Sequence, residues 1–362
     1  MINKYKKIVI KIGSSSIVNP KSKKINVKWM KKLCEDIKKY HKEKNIIIVC
    51  SGAIALGSPL IKNKNLRKLE DKQAAASVGQ IELAHQWKQH LKAHKIDIAQ
   101  ILITLEDSEV RRRYLNARKT INTLLQNKVI PVINENDTVA TEEIKYGDND
   151  RLAARVAQII GADTLIILSD VNGLYDKSKQ KKIILKVGKI DEKINFLIDN
   201  KKNNYGSGGI STKLDAAKIC MNSGCHMFLA NGKKNNPIKN MIKNKIYTHF
   251  TPKISSLDAK KKWIIGSLNS TGVIHIDQGA SRALNNGKSL LAAGIIKIMG
   301  SFNKGENVLI VDQKENHLAR GLASFNSKEI DKIKGKQSKE IEKILGYLSK
   351  SEIIHKNDMV LL

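Results

Sequence analysis

Phenylalanine, tyrosine and tryptophan supply only 4% of the 362 residues, so aliphatic side chains must fill most of any core. The four cysteines show no C-x-x-C spacing, which removes the usual thiolate metal sites. Cys220 and Cys225 lie close together but read as small buried hydrophobes of a reducing compartment. No apolar run approaches the ~18 residues that a membrane span needs. The patch Ile8-Val9-Ile10 near the start is interrupted by Lys11, too short for the core of a signal peptide. A soluble, cytoplasmic protein without a membrane partner is the expectation. No internal repeat and no low-complexity tract appear. Acidic residues are also in short supply, 34 against 65 Lys and Arg, leaving a net charge of +31. That excess has two readings: a nucleic-acid partner, or compositional bias with lysines sprinkled along the whole chain. The lysines are not gathered on one segment, which favours bias. Either way the surface would attract anions.

What is present is a hydrophobic content of 41%, enough to bury real cores, in a chain long enough for two domains. The first two thirds alternate apolar runs with helical patterns, which predicts an α/β fold with a mostly parallel, open sheet covered by helices on both faces. Strands are expected at Lys7–Ile12, Ile46–Cys50, Ile98–Thr104, Val129–Ile133, Thr164–Leu168 and Met227–Ala230. Helices are expected to open near Ser51 and to run over Arg151–Gly161 and Thr212–Ser223. From Gly232 to Lys262 the pattern loosens into edge elements and a linker. After Trp263, short runs at Gly272–Ile276, Ile295–Met299 and Asn307–Val311 predict a second, small, mostly β domain with little helix. The expected division is 1–256, a linker at 257–270, and 271–362.

Four polar clusters fall just beyond the carboxyl ends of strands, where open α/β sheets place their sites. Lys11-Ile12-Gly13-Ser14-Ser15 lets backbone N–H groups approach a phosphate and adds a point charge, although a strand-terminal lysine is also a common solvated side chain. Ser51-Gly52-Ala53 would present free N–H groups at a helix start, or be a plain serine cap. Asn134-Glu135-Asn136-Asp137, followed by Lys145 and by Gly147-Asp148-Asn149-Asp150, is the densest polar stretch of the chain. Turn chemistry explains one such group but poorly explains two flanking a single loop. Asp150 precedes the predicted helix and could also cap it. Ser207-Gly208-Gly209-Ile210-Ser211-Thr212-Lys213 resembles phosphate-loop logic or a plain surface loop. It is no Walker A motif, and neither G-x-G-x-x-G nor G-x-S-x-G occurs. Two lysines, glycine-lined loops and carboxylates, without a His or Cys nucleophile, fit phosphoryl transfer, in which a protein mainly positions reactants and neutralises charge.

The motifs just quoted, together with Val132-Ile133 before Asn134 and Ser169-Asp170-Val171-Asn172-Gly173-Leu174-Tyr175, resemble those of the glutamate 5-kinases, a branch of the amino acid kinase family. The resemblance spans essentially the whole chain, including a second domain that resembles PUA domains. It implies the amino acid kinase fold and ATP-dependent phosphorylation of the γ-carboxylate of L-glutamate, the first step of proline biosynthesis. Lys11, Asp150 and Lys213 would be catalytic. Ser51, Asn134, Asp137, Asp148 and Asn149 would bind glutamate. Lys11, Ser169, Asp170, Ser207, Gly208, Gly209, Ile210, Ser211, Thr212 and Lys213 would lie by the nucleotide, with Lys145 a further candidate. The family uses Mg²⁺ with ATP, and no side chain is assigned to the metal. Proline as feedback inhibitor, a homo-oligomer, and RNA binding by the PUA-like domain are further implications. Ser207 and Ile210 stand where the family usually has Thr and Met, which bears on nucleotide affinity. The rival readings are a sister kinase acting on aspartate, acetylglutamate or a nucleotide, and an RNA-binding regulator.

Overall fold

The computed structural model describes residues 2–61, 66, 68–140, 148–176, 182–192, 194, 209–253, 271–347 and 351–362. The chain divides into two compact units, Met1–Ser256 and Leu257–Leu362.

The first unit is built on a sheet of β1 (Lys7–Ile12), β2 (Asn45–Cys50), β3 (Ile98–Ile103), β4 (Ile130–Glu135), β5 (Thr164–Ser169), β8 (Lys186–Val187), β9 (His226–Asn231) and β10 (Thr248–Phe250). Their spatial order is β3-β4-β2-β1-β5-β9-β10-β8. The six strands from β3 to β9 are parallel, so their carboxyl ends share one edge. β10 runs antiparallel to β9. β6 (Tyr175–Asp176) and β7 (Lys182–Ile183) form a separate hairpin.

A parallel sheet must be covered on both faces, and the alternation of each strand sorts its side chains between them. Ile8, Ile10, Ile12, Ile46, Ile48 and Val132 pack under α2 (Val27–His41), α4 (Leu69–Lys92) and α8 (Pro237–Asn244). Val9, Ile47, Val49, Ile133 and Ile167 pack on the other side under α5 (Arg111–Gln126), α6 (Asp148–Ile160) and α7 (Ile210–Asn222). Lys11 follows Val9 by two residues and so belongs to the α6–α7 side; Asn134 follows Val132 and belongs to the α4 side. This single parity rule sends two site residues to opposite faces.

Two long-range devices fix the helices on the α4 side. Asp36, buried on α2, accepts from the N–H groups of Ile238 (2.9 Å) and Lys239 (3.1 Å), capping α8 from 202 residues away. α3 (Ala53–Gly57) meets α4 through glycines: a Cβ at Gly57 would lie 1.9 Å from the Ala75 carbonyl oxygen, and one at Gly79 only 1.8 Å from that of Ala53. Only glycine permits backbones this close.

The second unit has its own core around Ile274, Ile310, Phe325 and Ile353. Its five-stranded sheet runs β13 (Ile295–Gly300), β11 (Gly272–Ile276), β14 (Asn307–Val311), β15 (His317–Leu322), β17 (Met359–Leu361), with β12 (Leu290–Leu291) paired to β16 (Glu352–Ile354). The expectation of little helix is corrected: α9 (Gln278–Asn285), α10 (Ser327–Ile333) and α11 (Ser338–Leu345) are present. They are short, with only a turn or two of apolar spacing. Their legible signal is capping: Asn326 and Glu329 form a reciprocal box at the start of α10, and the Asp277 side chain caps α9.

In the first unit, α6 begins at Asp148 and α7 at Ile210, so Asp150 lies inside the first turn of α6 instead of before it. Between Gly232 and Lys262 the described edge elements are α8 and β10. The proposed linker, and Lys145, Ser207 and Gly208, lie outside the described residues. No described helix is long and apolar enough to cross a membrane.

Candidate active site

Lys11, Asp150 and Lys213 meet on the α6–α7 side. Lys11 Nζ lies 2.5 Å from Asp150 Oδ1, and Lys213 Nζ lies 3.2 Å from Asp150 Oδ2. All three are buried, Asp150 at 0% exposure. Burying a charge is costly unless it is paired, and one carboxylate here is shared by two ammonium groups. Burial alone would push the Asp150 carboxyl up; Lys11 and Lys213 outweigh it and hold the group below the usual carboxylate range. The cluster therefore fixes ammonium charge in a dry place. Such a charge needs no reorganisation to meet a phosphate oxygen.

The backbone around it is arranged alike. Gly209 is the extended N-cap of α7, so the N–H groups of Ile210 and Ser211 open the helix ahead of its i→i−4 ladder. Thr212 N–H and Oγ1 both bond back to the Gly209 carbonyl, at 3.2 and 2.9 Å. Ser211 is exposed beside it. Gly13 donates to the Leu168 carbonyl at 3.4 Å and Ser51 N–H to that of Ile12 at 3.2 Å, tying the ends of β1, β2 and β5 together. Gly52, with φ +122°, makes the turn into α3, a conformation that favours glycine. At the end of β5, the Ser169 hydroxyl donates to Asp170 (3.0 Å), while the Ser169 carbonyl accepts from Gly232 (2.7 Å). Asn172 links Tyr175 and Asn231 beyond it.

The α4 side is different in kind. Asn134, 2% exposed at the end of β4, donates its Nδ2 to Gln80 Oε1 of α4 at 2.7 Å. Its Oδ1 is buried with no hydrogen-bond partner among the described residues, and the same holds for Asn149 Oδ1 on α6. Asp137 is buried in the loop after β4. α4 holds that loop again through Ser77, whose Oγ is 3.2 Å from Thr138 Oγ1, and through Gln73, whose Nε2 donates to the Ala140 carbonyl at 3.2 Å. Asp148 opens α6.

The structure thus joins Lys11, Asp150 and Lys213 directly. It brings Ser51, Asn134 and Ser169 to the ends of strands in the run β4-β2-β1-β5. The sequence reading missed Gln73, Ser77, Gly79 and Gln80. Polar residues at helical spacing around an interior glycine were the available signal. Among the described residues no cluster of three His, Cys, Asp or Glu could hold a metal.

A buried Lys–Asp–Lys cluster beside the start of α7, at the carboxyl edge of a parallel sheet, has the chemistry that phosphoryl transfer requires. The profile of the amino acid kinase family matches residues 6–231, and that of the PUA domain matches residues 272–345. The chain belongs to the amino acid kinase family, with a PUA domain following. It is 53% identical over 360 residues to the glutamate 5-kinase of Pelagibacter ubique (strain HTCC1062), covering 98% of this chain and 97% of that one. The glutamate 5-kinase of Bartonella henselae is 48% identical over 363 residues, covering 99% and 96%. Among solved structures, that of UMP kinase from Ureaplasma parvum covers 68% of this chain and 98% of its own at a TM-score of 0.47 and 16% identity.

Proposed function

We propose that this chain transfers the γ-phosphoryl group of ATP to the γ-carboxylate of L-glutamate, giving L-glutamyl 5-phosphate, as the first step of proline biosynthesis in the cytoplasm. The observation that carries the reading is the sharing of Asp150 by Lys11 and Lys213, in a chain similar over nearly its full length to glutamate 5-kinases.

The carboxylate nucleophile is ionised at neutral pH, so no strong general base is required. Asp150 holds the two lysines in place. Lys11 and Lys213 neutralise the transferring group as charge spreads over its oxygens, and the first turn of α7 with Gly209 receives phosphate oxygens. Ser169 and Asp170 lie by the nucleotide, as do Ser207 and Gly208. Ser51, Asn134, Asp137, Asp148 and Asn149 receive glutamate, and Lys145 belongs to the same loop. The donor set fits Mg²⁺ entering with ATP: a hard cation held mainly by phosphates and water needs no all-protein cage, and Asp150 is already engaged by two ammonium groups. When bound, the ion supplies charge neutralisation on the phosphates.

Residues 1–256 form the kinase domain, 257–270 a linker and 271–362 the PUA domain. Proline inhibition, homo-oligomer formation and RNA binding by the PUA domain complete the proposal. The acyl phosphate product is trapped by hydroxylamine, so the test is formation of γ-glutamyl hydroxamate from glutamate, ATP and Mg²⁺. Hydroxamate from aspartate or N-acetylglutamate, and none from glutamate, would overturn the substrate assignment.

A further inference from the structure

We infer that Gln80 is a positioning residue that makes the acceptor site selective for a free amine. The inference rests on the proposed acceptor site and extends it to a residue outside that set. Asn134 is the most buried polar side chain at the end of β4, and its two amide atoms have different fates. Nδ2 is spent on Gln80 Oε1 at 2.7 Å, while Oδ1 is left an acceptor without a partner among the described residues. A buried acceptor left unsatisfied is costly, so the atom is matched to a donor that arrives with the ligand. Of the polar groups of glutamate only the α-ammonium donates; both carboxylates only accept. Asn134 Oδ1 therefore receives the ammonium, and Gln80 decides that Oδ1, not Nδ2, is available to it. If the amide were free to turn over, Nδ2 would meet the ammonium donor to donor.

The backbone that carries Gln80 is closely packed. The neighbouring Gly79 lies against the Ala53 carbonyl of α3, the helix that opens just after Ser51. Ser77 and Gln73 on the same helix hold Thr138 and Ala140, which follow Asp137 in its loop. α4 thereby sets both sides of the amino-acid end of the site against each other, and Gln80 carries the setting to Asn134. An acceptor without an amine, such as glutarate, gains nothing from this arrangement.

The experiment compares Gln80→Met, which keeps length and loses the acceptor, with Gln80→Glu, which can only accept. Glutamate KM and kcat are measured with the full chain, glutarate is titrated as a competitive inhibitor, and Tm checks folding. Gln80→Met is expected to raise glutamate KM about tenfold with kcat within about twofold, the signature of lost ground-state binding. Glutarate Ki should stay unchanged, and Gln80→Glu should restore glutamate KM to within about threefold. Equal losses for glutamate and glutarate would reduce Gln80 to a packing role and overturn the inference, as would a Gln80→Glu variant as poor as Gln80→Met. Asn134→Ala separates the two levels. If it leaves glutamate KM unchanged, the acceptor-site reading fails; if it raises KM while Gln80→Met does not, only the role of Gln80 fails.

Discussion

The two sides of the active-site edge solve their problems with different chemistry. On the α6–α7 side, full charges touch: one buried carboxylate lies between two buried ammonium groups. On the α4 side, neutral amides do the holding, through Asn134–Gln80, Gln73–Ala140 and the Ser77–Thr138 hydroxyl pair. The first arrangement suits a triphosphate, where charge must be met and the protein does little covalent work. The second suits recognition, where a buried group lacking its partner rejects the wrong ligand. Rate should therefore be governed mainly from the α6–α7 face, and selectivity from the α4 face together with the start of α6.

The strongest way to break that comparison is at Lys213. Lys213→Ala should lower kcat by roughly 10²–10³ while glutamate KM changes little, because the charge acts on the transferring group. A steady-state assay with near wild-type kcat would take Lys213 out of the transition state. Asp137→Ala should act in the opposite parameter. Asp137 is proposed to pair, with Asn134, with the ligand ammonium, and removing such an anion should cost about 2–3 kcal/mol, read mainly in glutamate KM. An unchanged KM would end its assignment to that ammonium.

Gly79→Ala sharpens the picture from the scaffold. A methyl group placed 1.8 Å from the Ala53 carbonyl must push α3 and α4 apart. We expect a stability loss of about 1–3 kcal/mol by thermal denaturation, typical of overpacking. Glutamate KM should rise with ATP KM nearly unchanged; equal damage to both would show that the faces are not separable.

The smallest effect lies at the opposite, amino edge of the sheet. His226 Nδ1 and His249 Nε2 are 3.0 Å apart, and the His249 ring stacks on Phe228. Burial pushes both histidines below their ordinary value, helped for His249 by His226, Lys4 and Lys186, and takes His249 to about 4. The unfolded chain then binds more protons than the folded one between about pH 6.5 and 4, so stability falls as pH drops through that window. Both rings are partly solvated, so the loss should be only about 1 kcal/mol, a few degrees in Tm. His249→Phe should flatten Tm between pH 7 and 5 if this pair is responsible. The depressed Asp150 carboxyl contributes stability that persists above its unfolded value near 4 and is lost only as pH falls toward its folded one.

Much of the site could be read along the chain because its carriers are local. Each strand end followed by a polar turn was visible as an apolar run stopping at Gly13, Ser51, Asn134 or Ser169. Lys11, Asp150 and Lys213 could be chosen by chemical type. The short helices of the second unit were less legible, since one or two turns of spacing hardly exceed chance. Gln80 was the hardest to read: polar spacing around Gly79 marks a helix face, while the partner of Gln80 is 54 residues away on a different element.

The sequence alone determined the six parallel strands of the first unit, three strands of the second, and the residue types at their ends. Those follow from hydrophobic alternation and turn chemistry, which act over a few neighbouring residues. Which face each helix covers was decided only by the crossovers between parallel strands. That choice brought Asp150 to Lys11 and Lys213, set Gln80 against Asn134, and let Asp36 cap a helix 202 residues on. Burial made these pairings costly to leave unmade: once the helices close over the sheet, Asp150, Asn134 Nδ2 and Asp36 meet their partners there, whatever the distance along the chain.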